Sequence, residues 1–202
     1  MNRIIFSVLA SLGVLLGLSV APASAEAQPK NFTCNNDVLV EGTFRNVFVA
    51  EGADCTVGPD VTITRNFFAL KSPGVINVNT DIGRNFMVAD ATGSVTFGPE
   101  GCKVDPHVGN NLMIRNSANV AVCFATVDNN IVLSGNTGRL MLRDSVACNN
   151  IRVVNNEIVR VKNNVFGVNF TVKGNETVVR NSNNVKFDGN PQQCRRSIKP
   201  AA

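Results

Sequence analysis

Asn130-Ile131-Val132-Leu133 recurs 20 residues on as Asn150-Ile151-Arg152-Val153, and 19 further on as Asn169-Phe170-Thr171-Val172. In each copy the residues flanking the middle position are apolar, while the middle drifts from Val to Arg to Thr. Alternation at period two with one face kept apolar marks a short, half-buried β-strand. Outward from this stretch the pattern also opens at Asn46, Asn66, Asn85 and Asn111, so successive anchors lie 20, 19, 26, 19, 20 and 19 residues apart. Asn184-Val185-Lys186-Phe187 reads as an eighth, closer copy. A second alternating pair follows most anchors, as Val95/Phe97, Val120/Val122 and Leu140/Leu142, and then a third apolar residue, as Ile82, Val127 and Val146.

A unit this short cannot enclose a core by itself, but stacked units can. The expected fold is therefore all-β: a single-stack parallel β-helix, or β-solenoid, of about 7–8 coils of 19–20 residues. At about 4.8 Å per coil it is a rod roughly 35–40 Å long. A hairpin meander would need Asn-Gly or Asp-Gly turns; Asn-Gly never occurs, and Asp-Gly occurs only at Asp188-Gly189. A left-handed hexapeptide winding would want a stricter period of about 18 residues, so the expected hand is right. Asn116, Asn136, Asn155, Asn156, Asn175 and Asn190 fall between strands, where Asn tolerates left-handed backbone and bonds to nearby peptide groups. The long interval locates an insertion: residues 98–109, rich in Gly and Pro and containing His107, should loop out.

The composition agrees. Of 202 residues, 28 are Asn and 30 are Val; charged residues make up 17%, hydrophobic residues 44%, and Trp and Tyr are absent. Such a chain is too apolar for disorder. Residues 1–25 carry Arg3, the apolar run Ile4–Val20 and Ala23-Ser24-Ala25, the parts of an export signal with cleavage between Ala25 and Glu26. Residues 26–33 form a lead, residues 34–194 the solenoid, and residues 195–202 a basic tail. After signal removal no segment is long and apolar enough to span a bilayer. The expected localisation is secreted, extracellular or at the cell surface.

Six cysteines in an exported chain suggest three disulfides. Neighbouring coils lie within disulfide reach and coils further apart do not. Cys34 and Cys55 are 21 residues apart, as are Cys102 and Cys123, so each pair spans about one coil. Cys148 and Cys194 remain, and they can meet only if the C-terminal tail folds back. Charge is lopsided: residues 26–109 carry a net −4 and residues 110–202 a net +7.

The unit Asn-apolar-x-apolar-x-x-Asn, the stretch Glu41-Gly42-Thr43-Phe44-Arg45-Asn46-Val47-Phe48-Val49 with Gly52-Ala53-Asp54-Cys55 after it, and Gly189-Asn190 followed by Cys194 resemble secreted actinobacterial right-handed β-helix repeat proteins of unknown function. The resemblance covers roughly residues 34–194. It implies a fold and a compartment, and no activity. This chain uses Arg-Asn or Asn-Asn where that family usually has Gly-Asn.

Many β-helices are polysaccharide lyases or hydrolases. Asn79-Thr80-Asp81 and Arg160-Val161-Lys162 match two short motifs of polygalacturonase-like hydrolases, but no Asp-Asp pair exists and His107 is followed by Val. Inverting hydrolysis needs an acid and a base facing each other, and Asp81 alone cannot serve as both. Asp81 reads as a turn residue, Arg160 and Lys162 as solvated side chains. Neither a CxxC pair nor a carboxylate cluster suggests a metal, and no phosphate loop suggests a cofactor or nucleic acid. Two surface features stand out. Phe48, Phe68, Met87, Met113 and Val132 occupy outward middle positions yet are apolar, forming a candidate interaction stripe, unless residues 26–44 or the tail cover it. Beside them Arg45, Arg65 and Arg84 should stack as a basic ladder, with Glu41, Asp60 or Asp81 as the expected counter-charges and an anionic ligand as the alternative.

The reading is a non-enzymatic, disulfide-stapled structural or binding module without cofactors, whose partners are further copies or an anionic polymer. The first alternative is a carbohydrate-active enzyme on an acidic polysaccharide, using Asp81, Arg160 and Lys162 on one face. The second is a bactofilin-like, polymer-forming solenoid.

Overall fold

The computed structural model describes residues 28–71, 73–98 and 105–198. The export signal, its Ala25/Glu26 cut, Cys102 and residues 99–104 of the insertion lie outside the described residues.

All strand pairings are parallel and join neighbouring coils of one stack. Three sheets run its length. Sheet A contains Lys30–Cys34, Phe86–Ala89, Leu112–Arg115, Ile131–Ser134, Asn150–Val154 and Asn169–Lys173. Sheet B contains Ile76–Val78, Ser94–Phe97, Ala118–Cys123, Thr137–Arg143, Ile158–Lys162 and Thr177–Ser182. Sheet C contains the two-residue strands Asp81–Ile82, His107–Val108, Thr126–Val127, Val146–Ala147, Val165–Phe166 and Val185–Lys186. The long strands Asp37–Val49 and Cys55–Ala69 bend through B, C and A in turn. The winding thus repeats A, B, C from Lys30 to Lys186 in about eight coils. It starts at Lys30, inside the segment expected to be only a lead.

The inward columns form the core. In sheet A one column runs through Val47, Phe67, Phe86, Leu112, Ile131 and Ile151, all fully buried. Sheet B adds Val95, Val120, Leu140 and Val159, with Phe97, Val122, Leu142 and Val161 beside them. Phe67 stacks on Phe86 at 5.2 Å between ring centres, and Phe86 meets Phe97 at 4.7 Å.

Asn shapes the corners in two ways. Asp90, Asn116, Gly135, Asn155 and Gly174 hold the A-to-B corner, all with positive φ between 48° and 66°. Phe124, Asp144, Asn163 and Asn183 do the same at the B-to-C corner. These are backbone states that Asn, Asp and Gly adopt at low cost; Phe124 is the outlier. Carboxamide ladders supply the second role. From Asn46 to Asn169, each anchor's Nδ2 donates to the Oδ1 of the anchor one coil nearer the N-terminus, at 2.8–3.3 Å. Inside the stack, Asn136, Asn156 and Asn175 form another ladder, bonding backbone as well as one another.

Three local expectations are corrected. His107 is not in a loop: the chain regains sheet C at His107–Val108, in register with Thr126 and Val127, because Val108 fills the inward column. Asn184-Val185-Lys186 is not another anchor copy. Asn184 sits on Asn164, and Val185 and Lys186 pair with Val165 and Phe166 in sheet C. Its spacing of 15 from Asn169 is the length from sheet A to sheet C, not a full turn. Within sheet C it is Ala147 that is fully buried, while Val146 pairs with Thr126 and is half-exposed.

Cys34–Cys55 and Cys148–Cys194 are disulfide-bonded, with Cα–Cα distances of 5.9 and 5.4 Å. Cys123 is also disulfide-bonded, and the partner expected for it, Cys102, lies outside the described residues. After the last coil the chain turns back in helix α1, Pro191–Ile198. Arg195 Nε donates to the carbonyl of Asp128 at 2.7 Å, so α1 runs back down the side of the stack beside sheet C. It takes in the first residues assigned to a tail.

Candidate functional site

The outward middle column of sheet A is Thr33, Phe48, Phe68, Met87, Met113, Val132, Arg152 and Thr171, each in register with the next. The five apolar residues of the stripe are therefore stacked side by side. Phe48 is 38% exposed and packs on Phe68 at 5.7 Å between ring centres; the other four are half-buried. Residues 28–44 supply the first coil and α1 docks beside sheet C, so the described parts of the two segments considered as covers lie elsewhere.

Arg45, Arg65 and Arg84 follow one another at the corner where sheet C passes into sheet A, and the Arg84 N–H donates to the carbonyl of Arg65. Their expected counter-charges are not in place. Among the described residues only two ion pairs lie within 4 Å, His107–Asp128 and Arg143–Asp144. Glu41 and Asp60 are register neighbours of each other on sheet C, while Asp81 accepts the backbone N–H of His107 at 2.8 Å.

The outer face of sheet B holds a denser cationic array, which the sequence reading passed over. Arg160 pairs with Arg180, and Arg143 with Lys162, in adjacent coils; Arg139 precedes them on the same sheet. Arg160 and Lys162 are two apart on one strand, so both face outward about 7 Å from each other, while the stacked pairs are about 4.8 Å apart. Arg143 Nε is buried without a hydrogen bond; its nearest acid, Asp144, is 3.9 Å away, too far for one. A groove of about 650 Å³ runs along this face, lined by Thr96, Asn119, Arg139, Met141, Arg160 and Val179 among others. Sequence did carry the signal: cations recur from Arg143 to Lys162 and from Arg160 to Arg180 at the coil period.

The enzymatic alternative fares differently. Asp81 lies on sheet C, and Arg160 and Lys162 on sheet B, so the three residues do not share a face. Thr80, buried, donates to the carbonyl of Val61. A second cleft, about 660 Å³, is lined by Asp81, Asp105, His107, Thr126 and Ser197 among others. In it His107 Nε2 lies 2.8 Å from Asp128 Oδ1. Asp128 is thus engaged with an imidazole and Asp81 with a backbone amide. Among the described residues no helix is long and apolar enough to cross a membrane. No family model, curated protein or solved structure matches the chain.

Proposed function

We propose that this protein is an exported, non-enzymatic β-solenoid that binds a linear anionic polymer along sheet B. The observation that carries the reading is the stacking of Arg160 on Arg180 and of Arg143 on Lys162, with a single carboxylate among the described residues within 4 Å of any of them. Like charges directly opposite in a sheet destabilise it. A fold that keeps such pairs at its surface gains when a polyanion lies along this face, over Arg139 and Arg160 in the groove and the cations beside it, and neutralises several at once. The cations repeat along the stack axis, which suits an extended chain of regularly spaced charges better than a compact ligand. Export is supported by the signal-like N-terminus, by disulfides, which belong to oxidising compartments, and by the resemblance to secreted repeat proteins.

The test is titration of the mature protein with polyuronate. Binding should weaken steeply as salt is raised. Arg139→Ser/Arg160→Ser/Lys162→Ser should lower affinity by about one to two orders of magnitude at low salt. Equal affinity of the triple variant and the native chain removes the proposal. The same samples, assayed for new reducing ends or unsaturated products, separate it from the enzymatic alternative: turnover that disappears in Asp81→Asn would establish that alternative instead.

A further inference from the structure

We infer that copies of this chain stack head to tail, the last coil of one seated under the first coil of the next. The winding begins with a strand of sheet A, Lys30–Cys34, and ends with a strand of sheet C, Val185–Lys186, so the described stack consists of whole A-B-C turns. A second copy placed on the C-terminal end would lay Lys30–Cys34 over Asn169–Lys173, and the start of Asp37–Val49 over Thr177–Ser182 and Val185–Lys186. All three sheets would continue in phase and parallel, each open edge finding the edge it pairs with inside the molecule.

The anchor ladder gives this joint a direction. Every Nδ2 in it donates toward the N-terminal neighbour. Among the described residues, the amide of Asn31 therefore has no acceptor at one end, and the Oδ1 of Asn169 has no donor at the other. Head-to-tail stacking sets Asn31 of one copy on Asn169 of another with the polarity the ladder already has; head-to-head stacking sets donor against donor. The apolar columns are also unfinished. Phe170 and Val172 at one end, and Phe32 at the other, are only half-buried in columns otherwise sealed, and Val178 is 47% exposed where its register neighbour Val159 is fully buried. Phe32 of the incoming copy would cover Phe170 as Phe86 covers Phe67.

Charge selects the same arrangement. Asp37 and Glu41 stand at the N-terminal edge, in a half of net −4; Lys173 and Lys186 stand at the C-terminal edge, in a half of net +7. Asp37 and Lys186 occupy columns that are apolar inside the stack, in register with Cys55 and Phe166 respectively. Charges at such positions oppose pairing of like ends, and the opposite net charges of the two halves favour pairing of unlike ones. A heterologous contact of this kind does not close on itself and yields filaments.

Sedimentation of the oxidised mature chain from micromolar to millimolar concentration tests this. The expected result is an open-ended series, seen by electron microscopy as thin rods in multiples of one stack length. Lys173→Glu/Lys186→Glu and Asp37→Lys/Glu41→Lys should each lower association at least about tenfold, with circular dichroism and melting showing both folded. An equimolar mixture of the two variants should associate again, because each altered end then meets its complement. A strictly monomeric native chain overturns the inference. So does a mixture no more associated than its components, or association abolished by Phe48→Ser/Phe68→Ser/Met87→Ser and kept by the end variants. None of the end substitutions touches Arg139, Arg160 or Lys162, so polymer binding and stacking are read separately.

Discussion

Asn156 is 1% exposed yet fully used: its Oδ1 accepts from the backbone N–H and Nδ2 of Asn136, and its Nδ2 donates to the carbonyls of Leu133 and Val154 and to Asn175 Oδ1. A buried amide is tolerated only when satisfied in this way. Replacing Asn156 by Ala leaves the buried N–H of Asn136 and the carbonyl of Leu133 each short of a partner, at about 1–3 kcal/mol per orphaned group. Asn156→Ala should therefore lower the unfolding free energy by about 2–4 kcal/mol in urea denaturation. Asn169→Ala, at the exposed end of the anchor ladder, should cost no more than about 0.5 kcal/mol at dilute concentration. Equal costs would mean that the interior ladder adds nothing beyond a corner conformation. That Asn belongs at corners was legible from its placement between apolar pairs. Which Asn stacks on which was not, since Asn followed by an apolar residue occurs both at the anchors and at Asn164 and Asn184. Only the register of the whole winding separates them.

At the scale of elements, the two described disulfides do different work. Cys34–Cys55 ties the first coil to the second and closes a short loop, 21 residues in sequence separation. Cys148–Cys194 ties α1 to the sixth coil, and Cys194 is the one buried side chain among those described in that helix. Losing the first bond should destabilise the stack by about 3 kcal/mol. Losing the second should release α1 and leave the main transition almost where it was. Limited trypsin digestion at Arg195 and Arg196 checks this: Cys148→Ser/Cys194→Ser should be cut there rapidly without loss of the β-sheet dichroism, and Cys34→Ser/Cys55→Ser should melt earlier as a whole. A large fall in melting temperature from the Cys148/Cys194 change would show that α1 seals the stack. The fold-back of the tail was legible because Cys148 and Cys194 could meet in no other way. Its helical form was missed, although Asn190-Pro191-Gln192-Gln193 is a capping box: Asn190 Oδ1 accepts from the Gln193 N–H and Gln193 Oε1 from the Asn190 N–H, with Pro at the first helical position. The cationic array on sheet B was missed for another reason. Arg and Lys at outward positions carry no sign of contact until the coil period is laid over them.

For the whole molecule, a stack held by neighbour-to-neighbour contacts should not open everywhere with equal ease. Coils in the middle have a partner on both sides, and their inward residues Val120, Val122, Leu140 and Leu142 are at most 2% exposed. The last coil has a partner on one side; Val178 is half-exposed, and Asn181 and Lys186 replace apolar residues in its columns. The first coil also has one free side but is pinned by Cys34–Cys55. Amide hydrogen exchange should accordingly form a gradient: fastest in Thr177–Ser182 and Val185–Lys186, intermediate in Lys30–Cys34, and slowest in Ala118–Cys123 and Thr137–Arg143. Leu133→Ala, in the middle, should cost about 2–5 kcal/mol, whereas Val178→Ala should change exchange only near its own coil. Concentration adds a decisive control. If copies stack end to end, the terminal strands acquire the neighbour they lack, and their protection should rise toward that of the central coils as the protein is concentrated. Protection that is uniform along the chain at every concentration would mean that the rod unfolds as one unit, with ends no weaker than its middle.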